Sequence, residues 1–299
     1  MVGVASLHLH NSARLLVVAA VVLVGCSDGS TASSDAPATS LTTAAPSSMA
    51  PEPVEGLLAT VATNRLYATR HAFGVGLRNV GEASVTVREV RLDSGLYEPA
   101  AAGDEQVLLQ AGGRRFVLPV PYGEPRCGDD AAETYAVVVV LDDGREVRVP
   151  AVEEYPGAVP RVHERECFAV DVHERVDFRF GDEWTQSGIA ISGEVLLEQR
   201  HAGDPVAIDD ARGNVIFTLH VEAEGNPILQ VTDDEPAASV PITISADRCD
   251  PHAVAEFKRP YVFLTWIAVG DGEPVPVELE ATGAARDALD QLIATCSTG

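Results

Sequence analysis

The chain has 299 residues, 46% of them hydrophobic, and its 21 basic against 45 acidic side chains give a net charge of −24. This length allows one large or two ordinary domains, each with a proper core. The charge argues against nucleic acid as a partner and against adsorption to anionic lipid, because both require clustered Lys and Arg. Lys258 is the sole lysine. With abundant Ala, Val, Gly and Pro, that bias suggests a genome rich in G and C.

Residues 1–25 read as a signal peptide. Arg14 supplies the charged start, and Leu15 to Val24 form an uninterrupted apolar run. That run is too short to span a bilayer, which takes about 20 residues, and no later stretch of the sequence approaches the length. The segment closes on Leu23-Val24-Gly25-Cys26. These four residues resemble the lipobox of bacterial lipoproteins. The resemblance implies that the Cys26 thiol receives a diacylglyceryl group and that cleavage leaves Cys26 as the first mature residue. It covers 26 residues and is specific in position, spacing and flanks. Two acyl chains suffice for stable anchoring, where one gives only marginal binding.

From Cys26 to residue 55 the sequence is Ser, Thr, Ala, Pro and Gly with a few acids. It lacks aromatic residues and can bury too little apolar area to offset its ordering entropy, so it reads as a disordered tether. Thirty such residues span on the order of 30 Å. A Ser/Thr/Pro tether is also a substrate type for O-glycosylation.

The remainder reads as strands. Phe73 to Leu77, Val85 to Leu92 and Phe116 to Val120 come first, followed by Thr134 to Leu141 and Glu146 to Pro150. The second half offers Ile189 to Leu197, Val215 to Val221, Ile228 to Val231, Val240 to Ile244, Tyr261 to Val269 and Pro274 to Leu279. Gly, Asp, Asn and Pro clusters separate them, a pattern that predicts antiparallel sandwiches. One helix is expected, Ala284 to Thr295, with Ala285, Leu289, Leu292 and Ile293 on one face.

A weak internal repeat divides this region. Arg126-Cys127 and Arg248-Cys249 lie 122 residues apart, and each leads into an acidic, Ala-containing stretch. A long apolar strand, an acidic Gly turn, a valine-rich strand and a second cysteine, Cys167 or Cys296, follow in both copies. The expected fold is therefore mainly β, with two tandem immunoglobulin-like antiparallel β-sandwich domains, 56–170 and 171–299, and one C-terminal helix.

With Cys26 lipidated, four cysteines remain in an oxidising compartment, and four allow three pairings. The repeat selects Cys127–Cys167 and Cys249–Cys296, with sequence separations of 40 and 47 residues. Each bridge contributes roughly 4 kcal/mol by loop entropy.

No established catalytic motif is present: no nucleophile elbow, P-loop, dinucleotide fingerprint or zinc-protease helix. His163, Cys167 and His173 offer metal-ligand chemistry, but Cys167 is assigned to a disulfide. The two histidines lie ten residues apart in what reads as an extended, charged connector, about 33 Å along a strand. The acidic pairs Asp142-Asp143, Asp209-Asp210 and Asp233-Asp234 lack spaced calcium ligands and read as turns. No metal, cofactor or catalytic residue is assigned. The first guess for a binding site is Asp250, His252, Glu256 and Arg259, a charged group beside Cys249. Trp184 and Trp266 are candidate anchors, although the apolar run around Trp266 favours the core.

The lipobox, tether and composition together resemble the secreted lipoproteins of high-GC Gram-positive bacteria, and that resemblance brings no active residues with it. The chain is expected on the extracytoplasmic face of the cell membrane, held to the bilayer through the group on Cys26. It reads as a non-enzymatic binding or adaptor module for an envelope protein or a cell-wall glycan. A transporter's solute-binding lipoprotein is the rival reading, and a cell-wall hydrolase a more distant one. Non-reducing peptide mapping tests the cysteine scheme: fragments joining Cys127 to Cys167 are expected, and a fragment joining Cys127 to Cys249 overturns it.

Overall fold

A computed structural model describes residues 52–102, 106–248 and 250–297. The signal peptide, Cys26 and nearly all of the tether lie outside the described residues, as does Cys249. Residues 49–299 form one compact unit that contains two separate hydrophobic cores.

The first core lies between strands β1 (Leu57–Ala62), β2 (Ala72–Asn79), β3 (Val85–Ser94), β4 (Val107–Leu109), β5 (Phe116–Pro121), β6 (Tyr135–Leu141) and β7 (Glu146–Glu153), with the short helix α1 (Arg65–Ala68) between β1 and β2. The hydrogen-bonded path runs β4-β3-β6-β7-β1-β2-β5. It folds back on itself at β7, so that β3 packs over β5 and β2 over β4. Up to Pro150, β7 is antiparallel to β6; from Ala151 to Glu153 it is parallel to β1. Proline, which has no N–H to give a ladder, sits where the strand changes partner. This parallel pair is a departure from the purely antiparallel expectation.

The second core lies between β8 (Val176–Phe180), β9 (Thr185–Ser187), β10 (Ala190–Gln199), β11 (Val206–Arg212), β12 (Phe217–Val221), β13 (Leu229–Val231), β14 (Ala237–Ala246), β15 (Val262–Val269) and β16 (Val275–Glu280). One sheet runs β12-β14-β10-β8 with β9 added to β10, and the other runs β13-β11-β15-β16. Helix α3 (Pro251–Glu256) precedes β15, and α4 (Gly283–Ser297) closes the chain. Ala285, Leu289 and Leu292 of α4 enter the second core, as the 3.6-residue spacing predicts.

The repeat extends beyond the cysteines. The order β4-β3-β6-β7 in the first sandwich matches β13-β11-β15-β16 in the second, and β5-β2-β1 takes the places of β14-β10-β8. Each copy has a register shift at the corresponding place, between Val87 and Glu89 in β3 and between Ile208 and Asp210 in β11. Each copy ends in a helix introduced by a glycine in the left-handed region, Gly157 at φ 73° and Gly283 at φ 51°.

The charged connector is not extended. It is helix α2 (Ala158–Arg175), whose carbonyl–amide ladder brings His163 and His173 to about 15 Å apart along the axis by helical rise. The helix carries Val159 into the first core and Val172 into the second, with Val162 against the former and Phe168 and Ala169 against the latter. Its apolar residues are spaced for two different neighbours, which hides the single-faced signature that sequence reading seeks. The expected boundary at 170/171 falls inside it. Both oxygens of Glu153 accept from the first turn: the Val159 N–H at 2.8 Å and the Gly157 N–H. They place negative charge at the positive end of the helix dipole.

Two further expectations are corrected. Trp266 is not a core residue. The buried face of β15 is Phe263, Thr265 and Ile267, so two-residue alternation turns Trp266 outward, where the Arg212 guanidinium lies 4.3 Å from its ring centre. Trp184, by contrast, packs on the second core. Asp209-Asp210 is not a turn but the bulge of β11. An extra residue in one strand interrupts the alternation and mimics a break in the strand.

Cys127 and Cys167 form a disulfide with Cα atoms 5.3 Å apart, which ties α2 to the loop before β6. Cys296 on α4 is also disulfide-bonded, and its Sγ lies 3.4 Å from the Ala246 carbonyl at the end of β14. The double variant Cys127→Ser/Cys167→Ser is expected to lose about 4 kcal/mol of stability. Denaturant titration of oxidised wild type against the variant checks this value.

Candidate functional site

A cleft of about 840 Å³ opens where α2 passes between the two sandwiches, within the volume range of small-molecule sites. The first sandwich contributes Arg70 and His71, from the segment joining α1 to β2, and Tyr122 just beyond β5. Arg165, Glu166, Ala169 and His173 project from α2 at helical spacing. The second sandwich supplies Phe178 and Arg179 of β8, Val277 to Glu280 of β16, and Arg259.

The floor is aromatic. Tyr122 stacks on Phe73 with ring centres 4.2 Å apart and meets Tyr97 at 4.6 Å and His71 at 4.1 Å. Its hydroxyl donates to Glu166 Oε1 at 2.8 Å. Tyr97, 2% exposed, faces the same carboxylate without a well-formed hydrogen bond from its own hydroxyl. Burial first, and then the Glu166 charge, push both phenols well above the usual tyrosine range. His163 stands edge-on to Tyr97 at 5.5 Å. Its Nε2 lies 3.0 Å from the Arg126 carbonyl and 3.4 Å from the disulfide sulfur of Cys167. The floor is thus fastened directly to the disulfide.

His71 adopts φ 50°, a left-handed conformation that costs a residue bearing a Cβ about 1–2 kcal/mol. It is held there by the Tyr122 ring and by the Tyr122 N–H, which donates to its carbonyl at 3.4 Å. Strain of this kind persists where the surroundings enforce it.

The charges divide into engaged and unengaged groups. Arg259 grips Glu278 through both guanidinium Nη atoms, one of them at 2.6 Å, and this pairing raises its pKa further. Arg179 meets Asp177 at 3.1 Å, and Glu166 is taken up by Tyr122. Arg70 and Arg165 form no ion pair among the described residues. Arg165 Nε donates only to the Arg161 carbonyl of its own helix, at 3.2 Å.

The four residues first guessed from sequence are not brought together here. Arg259 lines the cleft. Asp250 caps α3, accepting from the Ala253 N–H at 2.9 Å. His252 and Glu256 pair across one turn of α3 at 3.3 Å, both well exposed. The residues that sequence reading missed, Arg70, His71, Tyr122, Arg165 and Glu166, come from three separate segments. Only the i, i+4 spacing of Arg165, Ala169 and His173 was a usable signal. Among the described residues no three His, Cys, Asp or Glu side chains converge as a metal site. The Asp143 carboxylate takes the Arg145 N–H at 3.0 Å, and Asp233 accepts the Gly203 N–H at 2.9 Å. Both are hairpin-end chemistry.

No family model matches the chain, and no curated protein matches its sequence. Among solved structures, the exo-chitosanase CsxA of Amycolatopsis orientalis aligns at a TM-score of 0.21 and 9% identity, over 76% of this chain and 26% of that one. Red sea bream transglutaminase gives 0.21 and 10%, over 77% and 32%. The calcium-binding domain CBD12 of CALX1.1 gives 0.19 and 12%, over 79% and 86%. The chain spans about a quarter of the chitosanase's length and a third of the transglutaminase's. Likeness at this level assigns no function.

The buried tyrosines set an alkaline limit on stability. Their folded pKa values lie above the ordinary 10.0, so the unfolded chain releases these protons first. The contribution is constant below about pH 10 and is lost as pH rises beyond it. Denaturation midpoints from pH 7 to 11.5 are expected to hold and then fall. Tyr97→Phe should flatten that fall while leaving the neutral-pH midpoint within about 1 kcal/mol.

Proposed function

We propose that the protein is a lipid-anchored lipoprotein of the extracytoplasmic face of a bacterial cell membrane, where its two sandwiches act as a non-catalytic binding module. The observation that carries the binding reading is the cleft between the sandwiches, walled by both and held open by α2. The disulfide Cys127–Cys167 supports an oxidising compartment, and the Leu23-Val24-Gly25-Cys26 sequence supports the anchor. The non-catalytic reading draws support from the absence of an established catalytic motif in the sequence.

The alternative of a solute receptor serving a transporter draws on the same cleft between two bodies. It expects α/β lobes, whereas both cores here are sheet on sheet.

Fractionation of cells producing the wild type and Cys26→Ala tests the anchor. Wild type is expected in the detergent-soluble membrane fraction, with Cys26→Ala released to the medium or held uncleaved. A soluble wild type overturns the anchor. Crosslinking on intact cells followed by mass spectrometry tests the module: a specific envelope protein or glycan captured by wild type and lost in Cys26→Ala is expected, and identical empty captures from both count against it.

A further inference from the structure

We propose that the cleft binds a small dissolved solute through an oxyanion group, phosphate or carboxylate, held between Arg70 and Arg165. This rests on the binding-module reading and names the ligand chemistry of that site.

The argument starts from charge. In a chain of net charge −24, many arginines pair with a carboxylate, Arg91, Arg115, Arg126, Arg145 and Arg212 among them, while others, such as Arg88 and Arg161, show no ion pair among the described residues. Arg70 and Arg165, which line one cleft, pair with none among the described residues. Two lining carboxylates are engaged elsewhere, Glu166 through Oε1 by Tyr122 and Glu278 by Arg259. Glu280 lines the cleft without an ion pair among the described residues, so the two unpaired guanidiniums outnumber the unpaired lining carboxylates. His71 and His173 line the same cleft.

Both arginines line the same cavity as Tyr122. Arg70 is adjacent to His71, whose ring lies 4.1 Å from that of Tyr122, and the Arg165 charge acts on the Tyr122 hydroxyl. His71 is held in its left-handed conformation beside the Tyr122 ring, which fixes the direction of the chain that follows Arg70. Guanidinium groups suit phosphate and carboxylate because their planar donors match two oxygens at once. The volume of about 840 Å³ suits a solute rather than a polymer or a bilayer surface.

The test uses full-length protein in detergent, with thermal unfolding in inorganic phosphate or citrate against sodium chloride of matched ionic strength. Either oxyanion, at tenfold over its dissociation constant, is expected to raise Tm by about 3 °C beyond the chloride control. A response to phosphate alone or to citrate alone identifies which group is preferred. Arg70→Ser and Arg165→Ser alter exposed side chains and should keep the wild-type Tm in chloride. Each should weaken oxyanion binding at least tenfold, and the pair should abolish the shift. The assignment is overturned by a shift no larger than in chloride, or by a shift that survives in the double variant. N-acetylglucosamine and spermidine serve as neutral and cationic probes. If one of these stabilises the protein and the oxyanions do not, the anion assignment falls while the binding-module reading stands. That reading is judged separately, by the crosslinked partner.

Discussion

Helix α2 is the member on which the rest of the molecule depends. It enters the first core through Val159 and leaves through the second at Val172, so neither sandwich can rotate against the other without withdrawing an apolar side chain. Its start is held by the Glu153 carboxylate and its middle by Cys167. A helix fixed at three points along its length behaves as a strut, and the cleft is the space the strut keeps open.

The same constraint explains why the site is assembled as it is. Of the α2 side chains that enter neither core, Arg165, Glu166 and His173 line the gap. Tyr122 reaches Glu166 because the disulfide sets the depth of the helix against the first sandwich. The aromatic floor is continuous from Phe73 in the core, through Tyr122, to His71 at the rim. Packing that stabilises the first sandwich therefore also aligns the groups lining the cleft. The partly buried Glu166 carboxylate is held through Oε1 by the Tyr122 hydroxyl, while Oε2 has no hydrogen-bond partner among the described residues.

Much of the fold was legible in the sequence and most of the cleft was not, for one physical reason. Strands such as Val137 to Leu141 and Phe263 to Ile267 bury one face against one partner, and their alternation is local. The repeat, seen first around Cys127 and Cys249, was readable for the same reason: hairpin, turn and helix follow in sequence order. The elements that were missed answer to more than one neighbour. Helix α2 serves two cores and lost its single-sided period, β11 carries a bulge that breaks its alternation, and β7 changes partner at Pro150. Arg70, Tyr122 and Arg165 meet only through tertiary packing, so no spacing along the chain announces them. Cys127 and Cys167 were legible because a covalent bond needs only two residues and a compartment.

The partner change in β7 also bears on how the molecule carries load. By pairing in parallel with β1, it converts the first strand of the body from an edge strand into an interior one, bonded to β2 on one side and to β7 on the other. Tension applied from the chain before Val54 runs along β1. It must shear two ladders together rather than unzip one, while the ion pair of Glu55 with Arg145 braces the point of entry. The end of β1 that would take this pull pairs with Asn79, the end of β2 opposite to His71. A pull on the chain before Val54 therefore enters the first sandwich at the end of β1 and β2 opposite to His71 and the cleft.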